Sequence, residues 1–148
     1  MNVVKSSGET QLVAIGLGPG ELLLESIRKA IQDLNIRNGI VISGAGTLKK
    51  CVMHYVTHTN FPPEDKLFTL EKPLELLSVS GIIANKEPHL HVVVSCGESE
   101  VFGGHLEDNS EVLYLAEIAI QKCNNLNLER RLDEARKIKM LRAADKES

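Results

Sequence analysis

The sequence predicts a mixed fold in which strands outnumber helices. Three observations predict it. Short apolar runs bounded by glycine, proline and asparagine recur between residues 11 and 121, helical spacing of apolar residues is confined to 21–34 and 128–142, and a turn of roughly three residues after Cys96 joins two of the runs as a hairpin. With 148 residues, 43% hydrophobic and 25% charged, the chain is long enough for one domain with a sizeable core and too short to expect two. A net charge of −3 gives no overall basic field, so any DNA contact would have to come from a local patch or from assembly.

Residues 1–10 carry one lysine and no apolar run, which does not read as a secretory signal. Residues 11–15 form a strand ending in Gly16-Leu17-Gly18-Pro19-Gly20; Leu23, Ile27, Ala30, Ile31 and Leu34 then recur at helical spacing until Asn35 and Gly39 stop the helix. A glycine turn between strand and helix invites a phosphate-binding reading. The order here is Gly-x-Gly-x-Gly, and no Gly-Lys-Ser/Thr follows, so a tight turn is the better reading.

Residues 39–48 continue as a strand in which Gly44 and Gly46 mark a bulge or a close backbone approach, and 49–57 form a further strand. His54 and His58 would suit a helix as a ligand pair, but the segment reads as extended, and on a strand ending at a loop they separate. Residues 60–66 are a loop around Pro62-Pro63, 67–70 and 74–83 are two strands either side of Pro73, and 84–88 form the next turn. In 111–121, Val112, Ile118 and Ile120 favour a strand; Glu117 in its middle belongs at an edge or facing a functional cavity. Leu128, Leu132, Ala135 and Ile138 resume helical spacing and predict a C-terminal helix with a solvated, charge-mixed face. Nothing approaches the ~18 apolar residues of a membrane helix. Cys51, Cys96 and Cys123 are odd in number and show no Cys-x-x-Cys, which points to a reducing, cytoplasmic setting.

The chemistry concentrates in His89-Leu90-His91-Val92-Val93-Val94-Ser95-Cys96 and Gly103-Gly104-His105-Leu106. On a strand, His89 and His91 point the same way. With the turn centred on Glu98, Cys96 pairs with Glu100 and His91 falls opposite His105, so three imidazoles converge, with glycines leaving open space beside His105. A centre half a residue later would pair His91 with Leu106 and split the histidines between faces. Three neutral imidazoles near one point suit Zn²⁺ with a fourth position for water or a ligand; Fe, Ni or Cu would also fit. The plainer alternative is a solvated His-x-His that binds nothing. Glu107, nominally opposite His89, is either a partner or fourth ligand of the site or an ordinary exposed glutamate.

The strand, glycine turn and helix at the start, the run Leu-Glu-Leu-Leu-Ser-Val-Ser-Gly-Ile-Ile over 74–83, His89-Leu90-His91-Val92 and Gly103-Gly104-His105-Leu106 resemble the plant-and-prokaryote-conserved (PPC) domain family over residues 8–122. Glu117 also fits the family pattern. The resemblance implies an α+β fold, an antiparallel (mixed) sheet with one main helix packed on it, assembled as a homotrimer. It implies that His89, His91 and His105 are metal positions, with zinc the usual ion. The expected helical extension, 123–148, lies outside the likeness. In plant relatives the domain accompanies an AT-hook in DNA-binding regulators. The Arg-Gly-Arg core that an AT-hook drives into the minor groove is absent here, so the implied DNA-binding role comes from relatives and not from these residues.

Three functions follow as expectations. The first is a metal-binding PPC protein with a regulatory or DNA-associated role. The second is an enzyme whose trihistidine metal acts on a small carbonyl or carboxylate substrate, with Glu117 or Glu107 as general base. The third is a metal that only holds the fold or the trimer together.

Overall fold

A computed structural model describes residues 1–6 and 8–144. Its elements are β1 (Thr10–Leu17), α1 (Leu23–Asp33), β2 (Gly39–Val56), β3 (Asp65–Ala84), β4 (Glu87–Cys96), β5 (Glu100–Leu106), β6 (Glu111–Cys123), β7 (Leu128–Asp133) and β8 (Ile138–Ala143). The main sheet is antiparallel, in the order β1-β6-β2-β3-β4-β5. Its far strand returns to the middle: β5 pairs with β2 through Met53↔Leu106 and His54↔His105, so β2 to β5 close on themselves. No helix among the described residues is long and apolar enough to cross a membrane.

Period-two alternation decides which side chains face the core. In β4, Leu90, Val92 and Val94 are buried while His89, His91 and Val93 face outward. Helix α1 turns Leu23, Leu24, Ile27 and Ile31 into the same core, alongside Val41, Met53, Ile118 and Ile120. Each such burial contributes roughly 1.5–3 kcal/mol. That packing is what holds the helix, since its 11 residues would be marginal in isolation. No side chain caps its start; the Leu23 N–H donates instead to the Ser110 carbonyl at 2.8 Å.

The structure joins what the sequence divides. The two strands expected over 39–57 are the single β2, with register irregularities between Val41 and Ser43, Gly46 and Leu48, and Leu48 and Lys50. At Gly46, φ is 149° and an added Cβ would stand 2.3 Å from the Leu115 carbonyl oxygen, so glycine admits the close approach of β6. Likewise 67–70 and 74–83 are one strand, β3. Pro73 is tolerated because it sits at the bulge between the Leu48↔Leu74 and Lys50↔Glu71 pairs, before the β4 ladder begins at Glu75. The β3–β4 turn is Asn85-Lys86, with both φ positive at 50° and 66°, the pattern of a two-residue hairpin loop.

The C-terminal helix expected over 128–142 is a β-hairpin, β7–β8, in register Leu128↔Ala143 to Asp133↔Ile138. A spacing of four residues is near one helical turn and is also two strand repeats, so Leu128 and Leu132 satisfied both patterns. Tertiary contact decides between them. Leu128 and Leu141 pack with Ala84, Cys123 and Leu126 in a small second core. The Asp133 carboxylate accepts from the Ala135 and Arg136 N–H groups at 3.2 and 3.0 Å, which shapes the turn. The last part of the expected extension, 145–148, lies outside the described residues.

Candidate metal centre and its cavity

The β4–β5 register is the one that brings the histidines together: Cys96 pairs with Glu100 and His91 with His105. Because β5 also pairs with β2, a row of outward-facing rings runs across three strands, His91 on β4, His105 on β5 and His54 on β2, with His89 two residues along β4. Ring centroids lie 4.9 Å apart for His89 and His105, 5.5 Å for His91 and His105, and 5.4 Å for His89 and His91. One nitrogen from each of the three lies within 4.8 Å of the others. A tetrahedral ion with bonds of 2.0–2.1 Å needs about 3.3 Å between donors. The donor set is therefore preformed to within modest side-chain adjustment.

Sequence reasoning left His54 out, and the structure puts it in. Its ring stacks on His105 at 4.4 Å, its Nδ1 lies 2.6 Å from Glu107 Oε1, and its Nε2 lies 3.7 Å from Asp65 Oδ2. With the carboxylate ionised, that short contact is a donation by the Nδ1–H of His54. Glu107 is thus not opposite His89. The β5 ladder ends at Leu106, the Glu107 N–H donates to the Val52 carbonyl at 3.0 Å, and the side chain turns to β2. His54, His105 and Glu107 form a second group with donor atoms within 4.8 Å, sharing His105 with the first. Gly103-Gly104 carried a sign of this. The expected open space beside His105 is occupied, since a Cβ on Gly104 would stand 2.7 Å from the His54 carbonyl oxygen.

All five histidines of the sequence line one cavity of about 910 Å³, His58 from the loop after β2. Its walls also include Tyr55, Phe61 and Asp65, together with Arg130, Lys137 and Lys139 from the β7–β8 hairpin. Burial, then the positive charge that His54 and His89 would carry, pushes His105 down to about 4. His89 is also lowered, by burial first and then by Arg130 and His91. Both rings are neutral at pH 7, the state in which imidazole ligates metal. Glu117 is elsewhere: it is exposed on β6, opposite Gly16 and Ala45, and does not line this cavity.

A model of the Plants and Prokaryotes Conserved (PCC) domain matches residues 4–124. The chain belongs to this family. The β7–β8 hairpin lies beyond the matched PCC region. A plant- and prokaryote-conserved protein from Pyrococcus horikoshii is 31% identical, with a TM-score of 0.72 over 90% of this chain and 92% of its own. A metal-containing protein from Archaeoglobus fulgidus is 26% identical, with a TM-score of 0.75 over 95% and 98%. A protein from Bacteroides thetaiotaomicron described as a candidate DNA-binding protein shares the fold, with a TM-score of 0.73 over 95% and 96% at 17% identity. The bifunctional protein GlmU of Synechococcus sp. strain JA-3-3Ab is 26% identical over 129 residues, 87% of this chain. This PCC chain spans about a fifth of the length of that curated relative.

Proposed function

We propose that this PCC chain is a metal-binding regulatory protein in which His89, His91 and His105 hold zinc or another divalent transition ion. The observation that carries the reading is a set of three imidazole donors from adjacent strands, two of them with lowered proton affinity, turned into one cavity. The metal-containing Archaeoglobus relative supports it. The test is metal content by elemental analysis of protein purified with zinc, for the wild type, His91→Ala and Glu107→Gln. The proposal predicts one ion per chain in the wild type, nearly none in His91→Ala, and retention in Glu107→Gln. Full retention in His91→Ala contradicts it.

The same proposal includes a homotrimer in the cytoplasm. Leu12, Ile42, Leu77 and Leu115 are each half or more exposed on neighbouring strands β1, β2, β3 and β6, an apolar surface of the kind that subunit contacts cover. All three cysteines are free, as a reducing compartment would keep them.

A second reading, DNA association, is favoured by the Bacteroides relative. With a net charge of −3, contact with phosphates would have to come from local cations such as Arg131, Arg136 and Arg142 on and around the hairpin. Duplex affinity at two salt concentrations tests it; no binding at low salt removes it. In an enzymatic reading, the proton acceptor within one chain is the Glu107–His54 pair and not Glu117, because His54 lines the cavity and is bonded to Glu107, whereas Glu117 does neither.

A further inference from the structure

Most cations walling the cavity already have a carboxylate. Lys139 Nζ lies 2.9 Å from Glu87 Oε1, Lys137 Nζ lies 2.7 Å from Glu134 Oε2, and Arg28 pairs with Asp108. Arg130 is different. Its two terminal nitrogens donate to the backbone carbonyls of Glu87 and Ile82, each at 2.8 Å. These bonds fix the guanidinium at the ends of β3 and β4; the Glu87 carboxylate, which pairs with Lys139, acts on it through space, and Arg130 has no ion pair of its own among the described residues. Two of five N–H donors are used, so the fork keeps donors for a further acceptor. Burial lowers its proton affinity, the mark of a cation partly shut off from water, and the Glu87 carboxylate offsets part of that. It lines the same cavity as His89, His91 and His105. A fixed, partly desolvated guanidinium beside three imidazoles is a built receptor for a carboxylate.

We infer that the cavity binds a small organic dianion, one carboxylate of which pairs with Arg130 while the other reaches the three histidines. The inference deepens the metal reading, since three imidazole ligands leave a coordination position that a carboxylate can fill. The cavity's ~910 Å³ is in the range of small-molecule sites, and Tyr55, Phe61 and Pro88 add apolar wall to it. A monoanion would satisfy either Arg130 or the histidine site and leave the other unmatched. The hairpin that supplies Arg130 lies outside the family-matched region, so ligand choice would be set by a part of the chain separate from the metal ligands.

The test is calorimetric titration of succinate and of butyrate, equal in length and differing in one charge, into the full chain. It is run zinc-loaded and after chelation, for the wild type, Arg130→Gln and Arg130→Lys, with zinc content and urea midpoint measured on each sample. Succinate is expected to bind the zinc-loaded wild type at least tenfold more tightly than butyrate. Arg130→Gln should lose at least tenfold in succinate affinity with its zinc content unchanged, and Arg130→Lys should regain part of it. Equal affinity for the two acids, or succinate binding that ignores Arg130→Gln, overturns the inference, as does absence of succinate binding in both forms. Because Arg130 also anchors the hairpin, equal loss in the Lys and Gln variants together with lowered urea midpoints means anchoring only, and overturns it too. A protein that holds no zinc refutes the metal reading separately; the Arg130 dependence of succinate binding to the chelated chain then decides the anion site.

Discussion

Replacing Gly104 with alanine tests whether closure of β5 onto β2 sets the position of His105. The added methyl would stand 2.7 Å from the His54 carbonyl oxygen and 3.2 Å from Met53 Cβ. Carbon and carbonyl oxygen rarely approach closer than about 3.3 Å even in attractive contacts, so the strands must part by about 0.6 Å. The obstacle is backbone and cannot swing aside. The join it opens has only two rungs, Met53↔Leu106 and His54↔His105. Overpacking of this kind costs about 1–3 kcal/mol. Metal sites tolerate roughly 0.2 Å in bond length, so a shift of this size carried into His105 should weaken zinc binding by about tenfold to a hundredfold. Urea unfolding of the metal-free protein and competition with a chromophoric chelator measure the two effects. Gly103→Ala is the control, since its nearest obstacle is the Val92 carbonyl oxygen at 3.2 Å. A Gly104→Ala protein with unchanged midpoint and unchanged zinc affinity would refute the reasoning.

Other outcomes follow from single contacts. Buried Asn38 accepts from the Asn85 and Leu128 N–H groups at 3.1 and 3.2 Å and donates to the Leu126 carbonyl, tying the hairpin to the sheet. Asn38→Ala leaves those groups unpaired at about 1–3 kcal/mol each where they stay dry, so a loss of roughly 3 kcal/mol is expected in urea unfolding, and an unshifted midpoint contradicts it. His105 in the folded chain lies at about 4, against an ordinary value of 6.5, so on acidification the unfolded chain takes up its proton first. Its contribution to the metal-free protein is therefore fully present above pH 6.5 and lost progressively down to about pH 4, a slope that His105→Gln should flatten in the same unfolding assay. Leu115→Asp, placed on the exposed apolar surface, should convert a trimer to monomers in sedimentation equilibrium, and an undisturbed trimer would move the interface elsewhere.

Local information made the histidine hairpin legible. A three-residue turn with Gly97 at positive φ fixes the register, and alternation then places His89, His91 and His105 on one side. The place of His54 was not legible, because it depends on β5 meeting a strand about fifty residues earlier, a contact that no local pattern encodes. Gly104 was the trace of that contact, and it reads as free space unless the neighbouring strand is known. The hairpin β7–β8 was hidden by the four-residue spacing of Leu128 and Leu132 and revealed by burial: Leu128 is enclosed while Leu132 is half exposed, which a single buried helical stripe would not produce. In β3, Pro73 read as a break because the opposing bulge that accommodates it lies on another strand.

Anomalous diffraction at the zinc absorption edge, from crystals of protein purified in the presence of zinc, tests the metal centre most directly. The account predicts one strong peak per chain within about 2.0–2.1 Å of a ring nitrogen of each of His89, His91 and His105. No peak at that point, or an ion held by other residues with these three rings unliganded, would contradict it.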